Sequence, residues 1–204
     1  MSVHIIDYGM GNLLSVQRAF EKCGADVKIT ENPEDLYSAT HIVLPGVGAF
    51  ADGMNNLIKG NWQKVLNEIV EKKQIPLLGI CLGMQLLATY GYEGGKIQGL
   101  NYIPGKIVRL EPKEAFERVP HVGWNEIKII NDNELLEGIK DNTDFYFVHS
   151  YKYMEYDKNN ALCKTDYCGE FTSVVYKDNV WGVQFHPEKS QKAGFKLIKN
   201  FLSL

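Results

Sequence analysis

The 204-residue sequence has no long apolar run, so no stretch is expected to cross a bilayer. The opening segment, residues 1–12, has no basic flank, and Asp7 ends its short apolar run. It does not read as a secretory signal. Charge of one sign is missing too. Lys and Arg number 22 against 25 Asp and Glu, a formal net charge of −3, which points to neither nucleic acid nor an anionic membrane as partner. Cysteine is scarce: Cys23, Cys81, Cys163 and Cys168 are too few for a disulfide framework in a chain this long. A reducing, cytoplasmic setting with a free thiol is the expectation. Cys163 and Cys168 lack a second ligand cluster, so neither a metal nor another cofactor is expected. No internal repeat, low-complexity tract or linker divides the chain, and one domain over residues 1–204 is expected.

What is present is an alternation of short Val/Ile-rich runs with helical patterns. Strands are predicted at 3–6, 27–29, 42–44 and 76–80. Helices are predicted at 13–23, at 53–73 on a stripe of Leu57, Ile58, Trp62, Val65, Leu66, Ile69 and Val70, and at 82–88. This order implies a parallel, twisted sheet covered on both faces. The second half is richer in strands, predicted at 107–110, 125–130, 145–150, 161–165, 173–176 and 180–185. Lys177-Asp178-Asn179 forms the hairpin turn between the last two, and a closing helix spans 191–202. The fold class is α/β with a mixed, mostly parallel central sheet. Residues 111–119 read as a charged, mobile loop.

Three short motifs carry chemistry. Gly79-Ile80-Cys81-Leu82-Gly83 joins a strand to a helix through a cysteine flanked by glycines, the sulfur form of a nucleophile elbow. Glycines there avoid collisions across a sharp turn, and the helix N-terminus favours thiolate over thiol. His186 follows an apolar strand, at the strand end where open α/β sheets hold their sites. Glu188, two residues on, can orient the imidazole. Pro45-Gly46-Val47-Gly48 follows another strand, and its glycines let a backbone N–H approach a ligand. Each motif alone also has a plain structural reading: a buried cysteine, a solvated His-Pro-Glu turn, a glycine loop. His121 and His149 sit near strand ends without a nearby carboxylate, and His4 and His41 lie in strands.

Taken together and in this order, the three motifs resemble the class I glutamine amidotransferases. Four further segments, 7–12, 121–125, 147–151 and 184–190, narrow the resemblance to the branch that donates ammonia in histidine biosynthesis. The resemblance covers residues 6–202 and implies a flavodoxin-like sheet with a small added β-section. It implies Cys81 as nucleophile, His186 as base and Glu188 as the residue that orients the base. It further implies oxyanion donors at Val47 and Leu82, and substrate contacts from Gly48, Gln85, Glu93, Ser150 and Tyr151. The implied partner is a βα-barrel cyclase, with Lys189 at the interface, and the implied products are imidazole glycerol phosphate and aminoimidazole carboxamide ribotide. The segments 88–93, 94–101 and 151–153 depart from the usual pattern, which leaves open a paralogue serving a sugar-amidinating synthase. A silent binding subunit and a general cysteine hydrolase are further alternatives. Intact Cys81, His186 and Glu188 oppose the first, and Gln85 with segment 147–151 opposes the second.

Overall fold

The computed structural model describes residues 1–115 and 117–204. Residue 116, within the segment read as a charged loop, lies outside the described residues. The first half runs β1 (Ser2–Ile6), α1 (Leu13–Lys22), β2 (Asp26–Thr30), β3 (His41–Leu44), α2 (Phe50–Lys59), α3 (Trp62–Leu66), β4 (Leu77–Ile80) and α4 (Leu82–Leu86). The second half adds β5 (Tyr90–Gly91), β6 (Ile97–Gln98), β7 (Gly105–Arg109), β8 (His121–Ile129) and β9 (Thr143–His149). It continues through β10 (Tyr151–Glu155), β11 (Ala161–Asp166), β12 (Glu170–Lys177) and β13 (Val180–Val183) to α5 (Gln191–Leu202). Among the described residues no helix is long and apolar enough to cross a membrane.

The central sheet reads β2-β1-β3-β4-β13-β12-β10-β7-β5-β6. Its first five strands are parallel. With β13 as the fifth, they follow the flavodoxin-like order. From β12 onward most pairings turn antiparallel, and β11, β8 and β9 extend the sheet from β12 as the added β-section. Alternating strand residues feed two cores. Val3, Val43, Leu78 and Ile80 pack with α1 and α5 on one face. Ile42, Leu44 and Leu77 pack with α2, α3 and α4 on the other. Strands with apolar residues on both sides are what a parallel sheet buried on both faces requires.

The helix read over 53–73 is not continuous. It begins at Phe50, breaks after Lys59, resumes at Trp62 and ends in a π-helical segment, Asn67–Lys72. Asn61 takes a left-handed φ of 58°, and Gly60 passes under the buried indole of Trp62. A Cβ at residue 60 would lie 2.6 Å from that ring, so the break is what lets Trp62 enter the core. Ile58, counted in the stripe, is 54% exposed. The helix after Cys81 is also shorter than read, ending at Leu86. Strand β10 was not read from the sequence, because only Ser150 separates it from β9 and no Gly, Pro or Asn marks the change of partner.

Candidate active site

Cys81 follows β4 directly, with φ 55° and ψ −110°. A non-glycine residue at positive φ is strained, and the neighbouring structure must hold it. One hydrogen bond and two close backbone approaches do so. Cys81 N–H donates to Val183 O at 2.8 Å. A Cβ at Gly79 would stand 2.8 Å from the backbone of Gly83 and Met84, and one at Gly83 would stand 1.7 Å from the Leu44 carbonyl. The two glycines therefore let the turn close against itself and against the end of β3. Because α4 has only five residues, its dipole is small, and direct hydrogen bonds matter more to the sulfur than the helix does.

β13 lies beside β4 in parallel register, Ile80 opposite Val183. His186 leaves that strand three residues later, fixed by its N–H to Tyr146 O at 2.8 Å and by Ser190 Oγ donating to its carbonyl at 2.7 Å. Pro187 opens a short 3-10 turn that carries Glu188 back, and Glu188 Oε1 reaches His186 Nδ1 at 2.8 Å. Both side chains are buried. Burial opposes charge on the ring, but hydrogen bonds to Cys81 and Glu188 outweigh it and raise the His186 pKa to about 10. With Nδ1 on the carboxylate, Nε2 is the ring atom left for sulfur, an arrangement suited to a thiolate–imidazolium pair.

The residues expected at the site converge. Val47, Gly48, Cys81, Leu82, Gln85, Glu93, Ser150, Tyr151, His186 and Lys189 all line one cavity of about 290 Å³, and Glu188 sits behind His186. Glu93 also ties down the start of α2, accepting from Phe50 N–H at 2.8 Å. Lys189 Nζ stands 5.8 Å over the Tyr146 ring. His4 and His41 lie outside this cavity, and no group of His, Cys, Asp or Glu that could hold a metal occurs among the described residues.

The expected pair of oxyanion donors is not assembled. Leu82 N–H donates to Gly46 O at 3.3 Å. In a trans peptide the carbonyl and the following N–H point opposite ways, so the Val47 N–H faces away from Leu82. The sequence supplied a flexible loop but not its setting, and here a carbonyl holds the place where the two donors were expected to meet.

A polar chain behind the nucleophile has no signature in the sequence. Fully buried Gln184 donates through Nε2 to Cys81 Sγ at 3.8 Å, and its Oε1 accepts from Gln85 Nε2 at 3.0 Å. Gln85 Nε2 also donates to Tyr151 O at 3.2 Å. That carbonyl, which can only accept, takes His149 Nδ1–H at 2.8 Å. His149 Nε2 is then the acceptor for His121 Nδ1–H at 3.0 Å, and His121 Nε2 accepts from the Asn125 amide at 3.3 Å. Burial lowers the pKa to about 4 at His121 and about 3 at His149, so both rings are neutral at pH 7. These two histidines are a directly opposed cross-strand pair. The strand pairing, not sequence spacing, is the signal that would have found them.

Comparison with known proteins shows the family and the fold. The family model for glutamine amidotransferase class-I matches residues 4–203. A protein named imidazole glycerol phosphate synthase subunit HisH 2, from Methanococcus maripaludis, is 48% identical over 200 residues, covering 98% of each chain. The HisH subunit from Archaeoglobus fulgidus is 44% identical, covering 99% of this chain and 98% of its own. The HisH 1 subunit from Campylobacter jejuni is 45% identical, covering 99% of this chain and all of its own. Among solved structures, one described as a glutamine amidotransferase superimposes with a TM-score of 0.77 at 18% identity, over 98% of this chain and 97% of its own. PurLQS from Thermotoga maritima gives 0.74 at 19% identity, over 99% of this chain and 97% of the matched one. At those identities the structures speak for the fold, while the sequence relatives speak for descent. The chain belongs to the class-I glutamine amidotransferase family, in the branch of the HisH subunits of imidazole glycerol phosphate synthase.

Proposed function

We propose that this chain is the glutaminase subunit of an imidazole glycerol phosphate synthase, a single amidotransferase domain acting in the cytoplasm. The observation that carries the chemistry is the buried His186–Glu188 contact at 2.8 Å, with His186 and Cys81 lining one cavity. The Cys81 thiolate attacks the carboxamide carbon of glutamine. The carbonyl π electrons move to oxygen, and the oxyanion is met by backbone N–H groups. His186 gives its proton to the leaving nitrogen, ammonia departs, and a thioester remains. Water, deprotonated by His186, attacks the thioester, and glutamate leaves as Cys81 returns to thiolate. Gly48, Gln85, Glu93, Ser150 and Tyr151 hold the substrate.

The partner is a βα-barrel cyclase docked over Lys189. Ammonia passing directly into its active site escapes protonation and dilution in bulk water. The Gly46 carbonyl on Leu82 N–H describes a resting state, in which an oxyanion would meet a carbonyl instead of a second donor. Docking with acceptor bound turns the Gly46–Val47 peptide and completes the hole, a change worth about 3–4 kcal/mol. A glutaminase assay on the lone chain, with the cyclase, and with the cyclase and an acceptor analogue tests this. Equal rates in all three would refute the turning peptide. Cys81→Ala is expected to abolish glutamine-dependent synthesis while ammonium salts still support the cyclase. Retained glutaminase activity in that variant would refute the nucleophile. Rescue of a histidine auxotroph lacking this subunit tests the acceptor, and failure with an active glutaminase would favour a sugar-amidinating synthase.

A further inference from the structure

Tyr8 follows β1, outside the motifs to which the chemistry was assigned. Its side chain is buried, with 6% of the residue exposed, and its Oη has no hydrogen-bond partner among the described residues. Buried hydroxyls usually find a partner, and one left without deserves a cause. The position of this oxygen is informative. It lies 2.2 Å from where a Cβ on residue 46 would stand, closer than any other atom to that point. Any side chain at residue 46 would therefore strike the phenol oxygen, as well as Leu82 Cβ at 3.0 Å. Burial, and then the nearby Cys81, push the phenol pKa up, so Tyr8 keeps its proton and can donate.

The Gly46 carbonyl is bonded to Leu82 N–H in the resting state. If the Gly46–Val47 peptide turns so that Val47 N–H faces the cavity, that carbonyl must leave Leu82. A buried carbonyl without a donor is costly, so the turn needs a second donor within reach of residue 46. We infer that Tyr8 is a positioning residue for glutamine hydrolysis, its hydroxyl donating to the Gly46 carbonyl when the peptide turns and so holding Val47 N–H toward the oxyanion. The inference rests on the turning peptide proposed above. It adds a reason for the unpartnered hydroxyl: the resting state leaves Tyr8 without its partner, and the active state supplies one. It also gives residue 46 a specific requirement for glycine, since the carbonyl and the phenol must share that space.

The test compares wild type and Tyr8→Phe, each as the lone chain and in the complex with cyclase and acceptor analogue. Tyr8→Phe is expected to lower kcat of the stimulated reaction about fivefold to tenfold, the loss of one hydrogen bond, with KM within about twofold. The same substitution is expected to raise the thermal midpoint of the lone chain, because an unpartnered buried hydroxyl is removed. A tyrosine with only a packing role would leave stimulated kcat unchanged. Stimulated wild type with an equally stimulated Tyr8→Phe would overturn the role of Tyr8 and spare the turning peptide. A lowered thermal midpoint would show that the hydroxyl is already partnered at rest, which also overturns it. Wild type that the complex does not stimulate would overturn the turning peptide, and this inference with it.

Discussion

Replacing Glu188 by glutamine isolates what a negative charge contributes behind the base. The two side chains are nearly the same size, and a glutamine carbonyl can still accept from His186 Nδ1, so the ring keeps its tautomer. What is lost is charge on a contact at 2.8 Å between side chains that are 6% and 2% exposed. A hydrogen bond to a charged group is worth about 1.5–3 kcal/mol and a neutral one about 0.5–1.5, so the substitution removes about 1–1.5 kcal/mol. That corresponds to a fall in kcat/KM of about fivefold to fifteenfold. The amide nitrogen must also occupy the place of Glu188 Oε2, which is buried without a hydrogen-bond partner among the described residues, and this adds a stability loss of about 1–3 kcal/mol. His186 carries a pKa raised from 6.5 to about 10, so its contribution to folding is complete below pH 6.5 and is lost as pH rises through about 10. In the glutamine variant the upper edge of that window moves down toward 6.5. Glutaminase kinetics with the cyclase present, and denaturant midpoints across this alkaline range, measure both effects. Glu188→Gln with unchanged kcat/KM, or as inactive as His186→Asn, would refute the assigned roles.

The neutral pair His121 and His149 predicts acid sensitivity. Their folded pKa values, about 4 and about 3, lie below 6.5, so the unfolded chain binds more protons and stability falls as pH drops through that range. His149→Gln should flatten this slope, and an unchanged slope would remove the pair as its source. Gly83→Ala must push a Cβ against a backbone carbonyl at 1.7 Å, so a loss of about 3 kcal/mol or more is expected in denaturant unfolding. A neutral result would mean that the elbow has room. Cys163→Ser should leave glutaminase kinetics unchanged, since that buried sulfur does not line the cavity, and a large loss of kcat would contradict this.

The elements best read from the sequence were those with a local cause. Gly24 ends α1, the 177–179 turn joins β12 to β13, and the spacing of Phe195, Ile198 and Phe201 sets α5. Cys81, His186 and Glu188 were legible because their companions, Gly79, Gly83 and Pro187, sit within a few residues. The break at Gly60–Asn61 was hidden inside an apolar stripe that continues on both sides. Gln184 and the His121–His149 pair depend on contacts across strands, and Gln184 lies 103 residues from the sulfur it touches. The setting of the Gly46–Val47 peptide, with the Gly46 carbonyl on Leu82 N–H, follows from backbone rotation at glycines, which composition does not decide.

The ladder between β4 and β13 distributes stiffness unevenly around the cavity. Nucleophile and base project from neighbouring strands in fixed register, each anchored by a backbone hydrogen bond, whereas residues 45–49 form a loop whose two glycines can rotate. In the function proposed above, a docked subunit therefore tunes the loop without disturbing the strands that carry Cys81 and His186. Reactions that build no oxyanion escape that tuning. Displacement of a halide from a small alkyl halide by Cys81 builds no oxyanion, so alkylation should run at the same rate in the lone chain and in the complex, whereas under the proposed turning peptide amide hydrolysis should be faster in the complex. In the function proposed above, nucleophile and base are thus preset by the strand register, and what a docked partner governs is where the developing oxyanion finds its donors.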